Sequence, residues 1–195
     1  MRKTVNKKNF AKFFEWSKKY LKENKKELRI TKYRTMRLSN GDKCQGWCDG
    51  NTLAVASGGR KFEETYCHEF SHITQSVEDI QLWQDYLADP DCRSSITASW
   101  DSIMSVAMLE RDCEIRSLNF SNKWGLFNSE VYAQETNLYL FYHQYLFLRK
   151  KWINTSTIYR RPLIKLMPKK IITAKTLSKI DMNLMLEFDK HLKND

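Results

Sequence analysis

Apolar residues recur at intervals of three and four along several stretches of this chain, and each such stretch predicts an amphipathic helix. Phe62, Tyr66, Phe70, Ile73 and Val77 keep the interval and predict a helix from about Lys61 to Asp79, entered through a Ser57-Gly58-Gly59 turn. Trp100, Met104, Ala107, Met108, Ile115 and Leu118 predict a second. Near the N-terminus, Phe10, Phe13, Phe14, Trp16 and Tyr20 stand among lysines and predict a helix from about Asn6 to Glu27. Its aromatic stripe is expected to pack on the body of the protein rather than enter a membrane surface. From Ser129 to Trp152, apolar and aromatic residues occupy every side of the helical wheel, the pattern of a buried helix. Leu177, Ile180, Leu184 and Phe188 predict a last helix from about Ala174 to Leu192.

Alternation of period two is scarcer. Arg29 to Met36 reads as a strand, and Gly46 to Ser57 as a turn followed by an edge strand, with Asp49-Gly50 as the hairpin signal. Residues 81–97 read as an irregular connection, and 154–173, broken by Pro162 and Pro168, as an extended wrap or loop. The pattern predicts a mainly helical α+β protein, one domain of 195 residues. Within it, 1–29 is a basic amphipathic helix, 30–152 the core, and 153–195 a basic C-terminal wrap and helix.

The chemistry concentrates at His68-Glu69-Phe70-Ser71-His72, an HExxH pattern holding two of the four histidines in the chain. Side chains four apart on a helix share a face with Cβ atoms about 5 to 6 Å apart, close enough for two imidazoles to hold one metal ion. Zinc is the expected ion. Glu69 is placed to take a proton from the water that fills the open coordination position. Both histidines point away from the apolar stripe of their helix, towards Thr65 and Ser76, whereas Glu69 falls on the edge of that stripe, where a carboxylate needs a partner or a role.

A catalytic zinc site takes three protein ligands. The third is sought in the run Met108-Leu109-Glu110-Arg111-Asp112-Cys113-Glu114-Ile115-Arg116, where Glu110 and Glu114 lie one turn apart on the flank of an apolar stripe. Here the chain resembles the gluzincin metallopeptidases, which pair HExxH with a downstream helix bearing Glu, three residues, then Asp. The resemblance implies that Glu110 is the third ligand and that Glu114 supports a ligand histidine from behind. Glu114 stands where the family has Asp, one methylene longer, so Glu114 or Asp112 are alternative ligands. The resemblance covers about 75 residues, Gly46 to Phe120, and extends to small HExxH proteins of bacteriophages. It implies a zincin-like core, with a small sheet whose edge strand precedes the HExxH helix, able to hold an extended peptide by main-chain pairing. His143 and Tyr132 are candidates to stabilise an oxyanion, against the simpler role of aromatic packing.

Charge divides the chain. Residues 1–39 carry +11, residues 40–146 carry −9 and residues 147–195 carry +8, for a net +10. The acidic middle, which contains HExxH, suits a metal ion and cationic peptides; the basic ends suit nucleic acid or another anionic partner. Two functions from different classes follow: a zinc hydrolase, foremost a peptidase acting on a peptide or protein substrate, and a nucleic-acid- or anionic-partner-binding protein whose metal site is structural or degenerate. A protease recruited to nucleic acid would combine them. No stretch approaches the roughly 18 apolar residues of a membrane span and no signal-peptide pattern opens the chain, so a cytoplasmic protein is expected. Cys44, Cys48, Cys67, Cys92 and Cys113 are odd in number and are expected as free thiols.

Overall fold

The structure is a computed structural model that describes residues 5–38, 41, 43–59, 61–89, 98–150, 158–159 and 161–192. The protein is α+β and mainly helical. Its described elements are α1 (Lys7–Glu23), β1 (Glu27–Thr31), β2 (Met36–Arg37), β3 (Lys43–Cys44), β4 (Gly46–Cys48), β5 (Thr52–Ala56), α2 (Phe62–Val77), α3 (Gln81–Ala88), α4 (Trp100–Trp124), α5 (Ser129–Arg149), α6 (Arg161–Leu166), α7 (Ala174–Leu177) and α8 (Met182–Leu192). They form two compact units. One comprises residues 1–80 with 116–127, the other 81–115 with 128–195, and α4 contributes to both.

In the first unit a three-stranded sheet of order β1-β5-β4 carries the chain into α2. Every residue of β5, Thr52-Leu53-Ala54-Val55-Ala56, is buried, which suits a strand covered on both faces and paired on both edges. It runs parallel to β1, with Leu28 opposite Leu53, and antiparallel to β4, with Gly46 opposite Val55. The strand that leads directly into α2 is thus central, and the expected edge strand is β4, one strand earlier. Asp49-Gly50 makes the turn between them as expected: Gly50 has φ +85°, and the Asp49 carboxylate accepts from the Asn51 and Thr52 amides. The strand expected over Arg29–Met36 stops at Thr31. The chain bends there, and Met36–Arg37 pairs instead with Lys43–Cys44 in a separate hairpin.

Helix α1, capped by the Asn6 side chain on the Asn9 amide, lays its aromatic stripe on α2 and the end of α4. Phe13 is fully buried, with ring centroids 5.6 Å from Phe70 and 5.7 Å from Phe120, and Ser17 shares a buried 2.7 Å hydrogen bond with the Tyr66 hydroxyl. Leu53, Val55, Cys67, Phe70, Ile73 and Leu126 complete this core. The stripe therefore packs on the body, as its spacing predicts.

In the second unit α5 is the buried helix expected, entered through an Asn128 cap. Met104, Ala107, Leu138, Tyr142, Leu163, Leu177, Met185 and Phe188 meet around it. Three departures from expectation occur here. Residues 81–88 are helix α3 rather than irregular, while Pro90, Asp91 and Cys92 lie outside the described residues. Residues 161–166 form α6 in what reads as loop. The final helix is two, because the chain breaks after Leu177 and restarts when Asp181 caps the Leu184 amide. Among the described residues no helix is long and apolar enough to cross a membrane.

Candidate metal centre

Helix α2 starts without a side-chain cap, but Glu63 and Glu64 in its first turn complement the positive end of the helix. Two turns on, His68 and His72 lie one above the other, their rings edge to face with centroids 4.8 Å apart. His72 is 8 % exposed, more enclosed than a polar face would leave it, and its Nδ1 sits 2.7 Å from Gln75 Oε1. The Gln75 Oε1 contact suits the His72 tautomer protonated on Nδ1, which would leave Nε2 for a ligand role. Glu69 is buried. Its side chain runs beneath β4, where a Cβ built on Gly46 would meet its Cγ and Oε1, each at 2.8 Å. Cys44 is close enough to sense that carboxylate: burial first, and then the negative charge of Glu69, hold its thiol above the ordinary range.

The second helix of the site approaches on small side chains. Ser71 and Ser117 share a buried 2.8 Å hydrogen bond, the Ser71 hydroxyl also donates to Cys67 O at 2.9 Å, and the Cys67 thiol lies 3.6 Å from Ser117 O. At this crossing α2 and α4 meet through small hydrogen-bonded side chains. One turn before Ser117, α4 carries Cys113, buried and free of any disulfide. One ligand atom from each of His68, His72 and Cys113 lies within 4.8 Å of the others. A tetrahedral ion with bonds of about 2.0 to 2.3 Å spaces its donors about 3.3 to 3.8 Å apart. Two imidazoles, one thiolate and an open fourth position fit zinc by donor chemistry.

Cys113 is the donor that sequence reasoning passed over. It stands inside ERDCE, but the acids drew attention, and the stripe inferred from large apolar residues, right for Met104 and Ala107, missed the buried face of the second half of α4, where Cys113, Ser117 and Ser121 recur every four residues. Glu110, three residues before Cys113, is half-buried and is not part of the group whose ligand atoms converge among the described residues. Its charge instead acts on His143, also in the second unit. His143 is buried against the Tyr139 ring, its Nε2 has no hydrogen-bond partner, and desolvation depresses its basicity while Glu110 opposes that effect. Glu114 is buried and accepts a very short hydrogen bond from the Tyr132 hydroxyl, so the expected supporting carboxylate and one expected oxyanion stabiliser are engaged with each other. Asp112 is half-buried on the same helix. Among the described residues Cys44, Cys48 and Cys67 likewise form no disulfide.

Comparison with known proteins leaves the reading on these residues alone: no protein family, no curated protein and no solved structure matches the chain.

Proposed function

We propose that this chain is a zinc-dependent hydrolase, foremost a peptidase of zincin-like design, with His68, His72 and a thiol or carboxylate from α4 as its metal ligands. The observation that carries the reading is the convergence of donors from His68, His72 and Cys113 beside a buried glutamate on the same helical turn. A zinc ion held there would polarise a carbonyl and acidify a water molecule. Glu69 takes the proton from that water and returns it to the departing amine, work that a carboxylate fixed between helix and strand performs without rearranging. Gln75 keeps His72 in the tautomer that presents Nε2. The burial of Glu69 and His72 keeps bulk water from competing at these groups.

Cys113 supports a ligand set of two histidines and a cysteine. The gluzincin resemblance supports Glu110 instead, and both readings take the third donor from α4. The test is elemental analysis of protein purified without added metal, followed by turnover on a denatured, fluorescently labelled protein substrate. One zinc per chain, lost in His68→Ala, with turnover absent in Glu69→Gln but zinc retained, is the expected result. Turnover of Glu69→Gln at the wild-type rate would refute its role.

A second reading has its own observation. Lys8, Lys12, Lys19 and Lys22 are exposed along α1, the solvent face of the N-terminal segment that carries +11. An anionic partner such as nucleic acid would bind there with an affinity that falls steeply with salt and is indifferent to metal. Anisotropy titrations of a labelled duplex at two salt concentrations, with and without chelator, test it, and affinity unchanged by salt would reject it.

A further inference from the structure

We propose that Gly46 is a positioning residue whose missing side chain sets where the Glu69 carboxylate lies; its kinetic consequence rests on the hydrolase reading. Gly46 opens the edge strand β4 and pairs with Val55 of β5. Unlike Gly41, Gly50 and Gly125, it has no left-handed backbone, so nothing in its conformation demands glycine. Space does. A Cβ at this position would lie 2.6 Å from Thr65 Cγ2 and 2.8 Å from both Glu69 Cγ and Glu69 Oε1. Ordinary contacts begin near 3.4 Å, so at least one partner would have to retreat by about 0.6 to 0.8 Å.

Neither partner retreats freely. Gly46 is held in register by the buried central strand, and Thr65 and Glu69 are successive turns of one face of α2. The Glu69 Cγ is bound to a Cβ fixed by that helix, so the strain resolves by turning the carboxylate away from its place. A displacement approaching 1 Å at a reacting group costs up to about a hundredfold in rate. The bare strand backbone at Gly46 thus acts as a stop against which the proposed general base rests.

Thr65→Ser removes the methyl contact and leaves Glu69 as the remaining obstacle, so the experiment is run in that background. Gly46→Ala is expected to lower kcat at least tenfold, leave KM within about twofold and retain one zinc per chain. No loss of kcat, or a loss expressed as KM or as missing zinc, would overturn the proposal. The second measurement needs no turnover: the thermal midpoint of metal-free protein, with Gly46→Ala introduced beside Glu69 or beside Glu69→Ala. The contact predicts that the drop caused by Gly46→Ala shrinks by at least half once Glu69 is truncated; an unchanged drop refutes it. If the Thr65→Ser protein has no turnover, the hydrolase reading fails while this stability comparison still decides whether Gly46 positions Glu69.

Discussion

At the scale of single residues, the HExxH turn was legible because the spacing of His68 and His72 and the nature of the intervening Glu69 are chemical statements that survive folding. What surrounds them was not, because it depends on side chains from distant segments. Gln75 is an example: three residues after His72 along α2, it is fully buried with its Oε1 2.7 Å from His72 Nδ1. Replacing it by Leu removes the group that fixes the His72 tautomer, and zinc affinity is expected to fall about tenfold to a hundredfold. Competition against a chelating dye measures this, and an unchanged affinity would mean that packing alone orients the ring. The third ligand is decided the same way. Cys113→Ala is expected to abolish stoichiometric zinc while Glu110→Gln keeps one ion per chain; the reverse outcome would restore the carboxylate that the gluzincin resemblance implies. Sequence reasoning favoured acids at this place because Glu110 and Glu114 lie one turn apart on the flank of an apolar stripe and the gluzincin resemblance implies a glutamate there.

At the scale of elements, periodicity located the long helices and failed on short ones. Helix α3 has eight residues and one buried side chain, Trp83, too few for a repeat to emerge. The wrap after α5 is ordered by side-chain amides that no periodicity reveals. Asn137 Nδ2 donates to Pro168 O and Lys170 O at 2.9 and 2.8 Å, and its Oδ1 accepts from the Ile172 amide at 2.9 Å. Gln144 does the same work further along, donating to Leu177 O and Lys179 O. Asn137→Leu leaves three backbone groups without their partner, a loss of about 3 kcal/mol or more. Trypsin cleavage after the exposed Lys169 and Lys170 should then accelerate well beyond that of the parent, and an unchanged cleavage rate would show that apolar packing alone holds the wrap. The end of α4 offers a smaller test. Gly125 has φ +64°, and the Leu126 amide reaches back to Ser121 O at 3.0 Å, closing the helix with a left-handed residue. Gly125→Ala should cost about 1 kcal/mol, read as a fall of about 2 to 4 °C in the thermal midpoint.

At the scale of the whole molecule, the mainly helical α+β class followed from the balance of period-3.6 and period-2 segments, whereas the division into units did not. Each unit is assembled from segments separated in sequence, and the helix they share, α4, shows no glycine, proline or change of composition between Ile115 and Arg116 to mark where one gives way to the other. The proposed metal binds a set of donors that only the folded chain brings together. Binding to the native state alone raises stability by RT ln(1 + [Zn]/Kd), about 2.7 kcal/mol at a hundredfold excess of free zinc over Kd. For a chain of 195 residues this corresponds to about 5 to 10 °C in thermal midpoint. The increment is expected in wild type and in Glu69→Gln, and is expected to vanish in His72→Ala. Its pH dependence has a definite sign. The imidazoles must be neutral and the thiol ionised to bind, so protons compete with zinc, and the increment should shrink as pH falls through the histidine range near 6.5. Differential scanning calorimetry with zinc or chelator at about pH 7.5 and about pH 5.5, on either side of that range, measures both effects. An increment that persists unchanged at the lower pH, or that survives His72→Ala, would place the stabilising ion somewhere other than the HExxH turn.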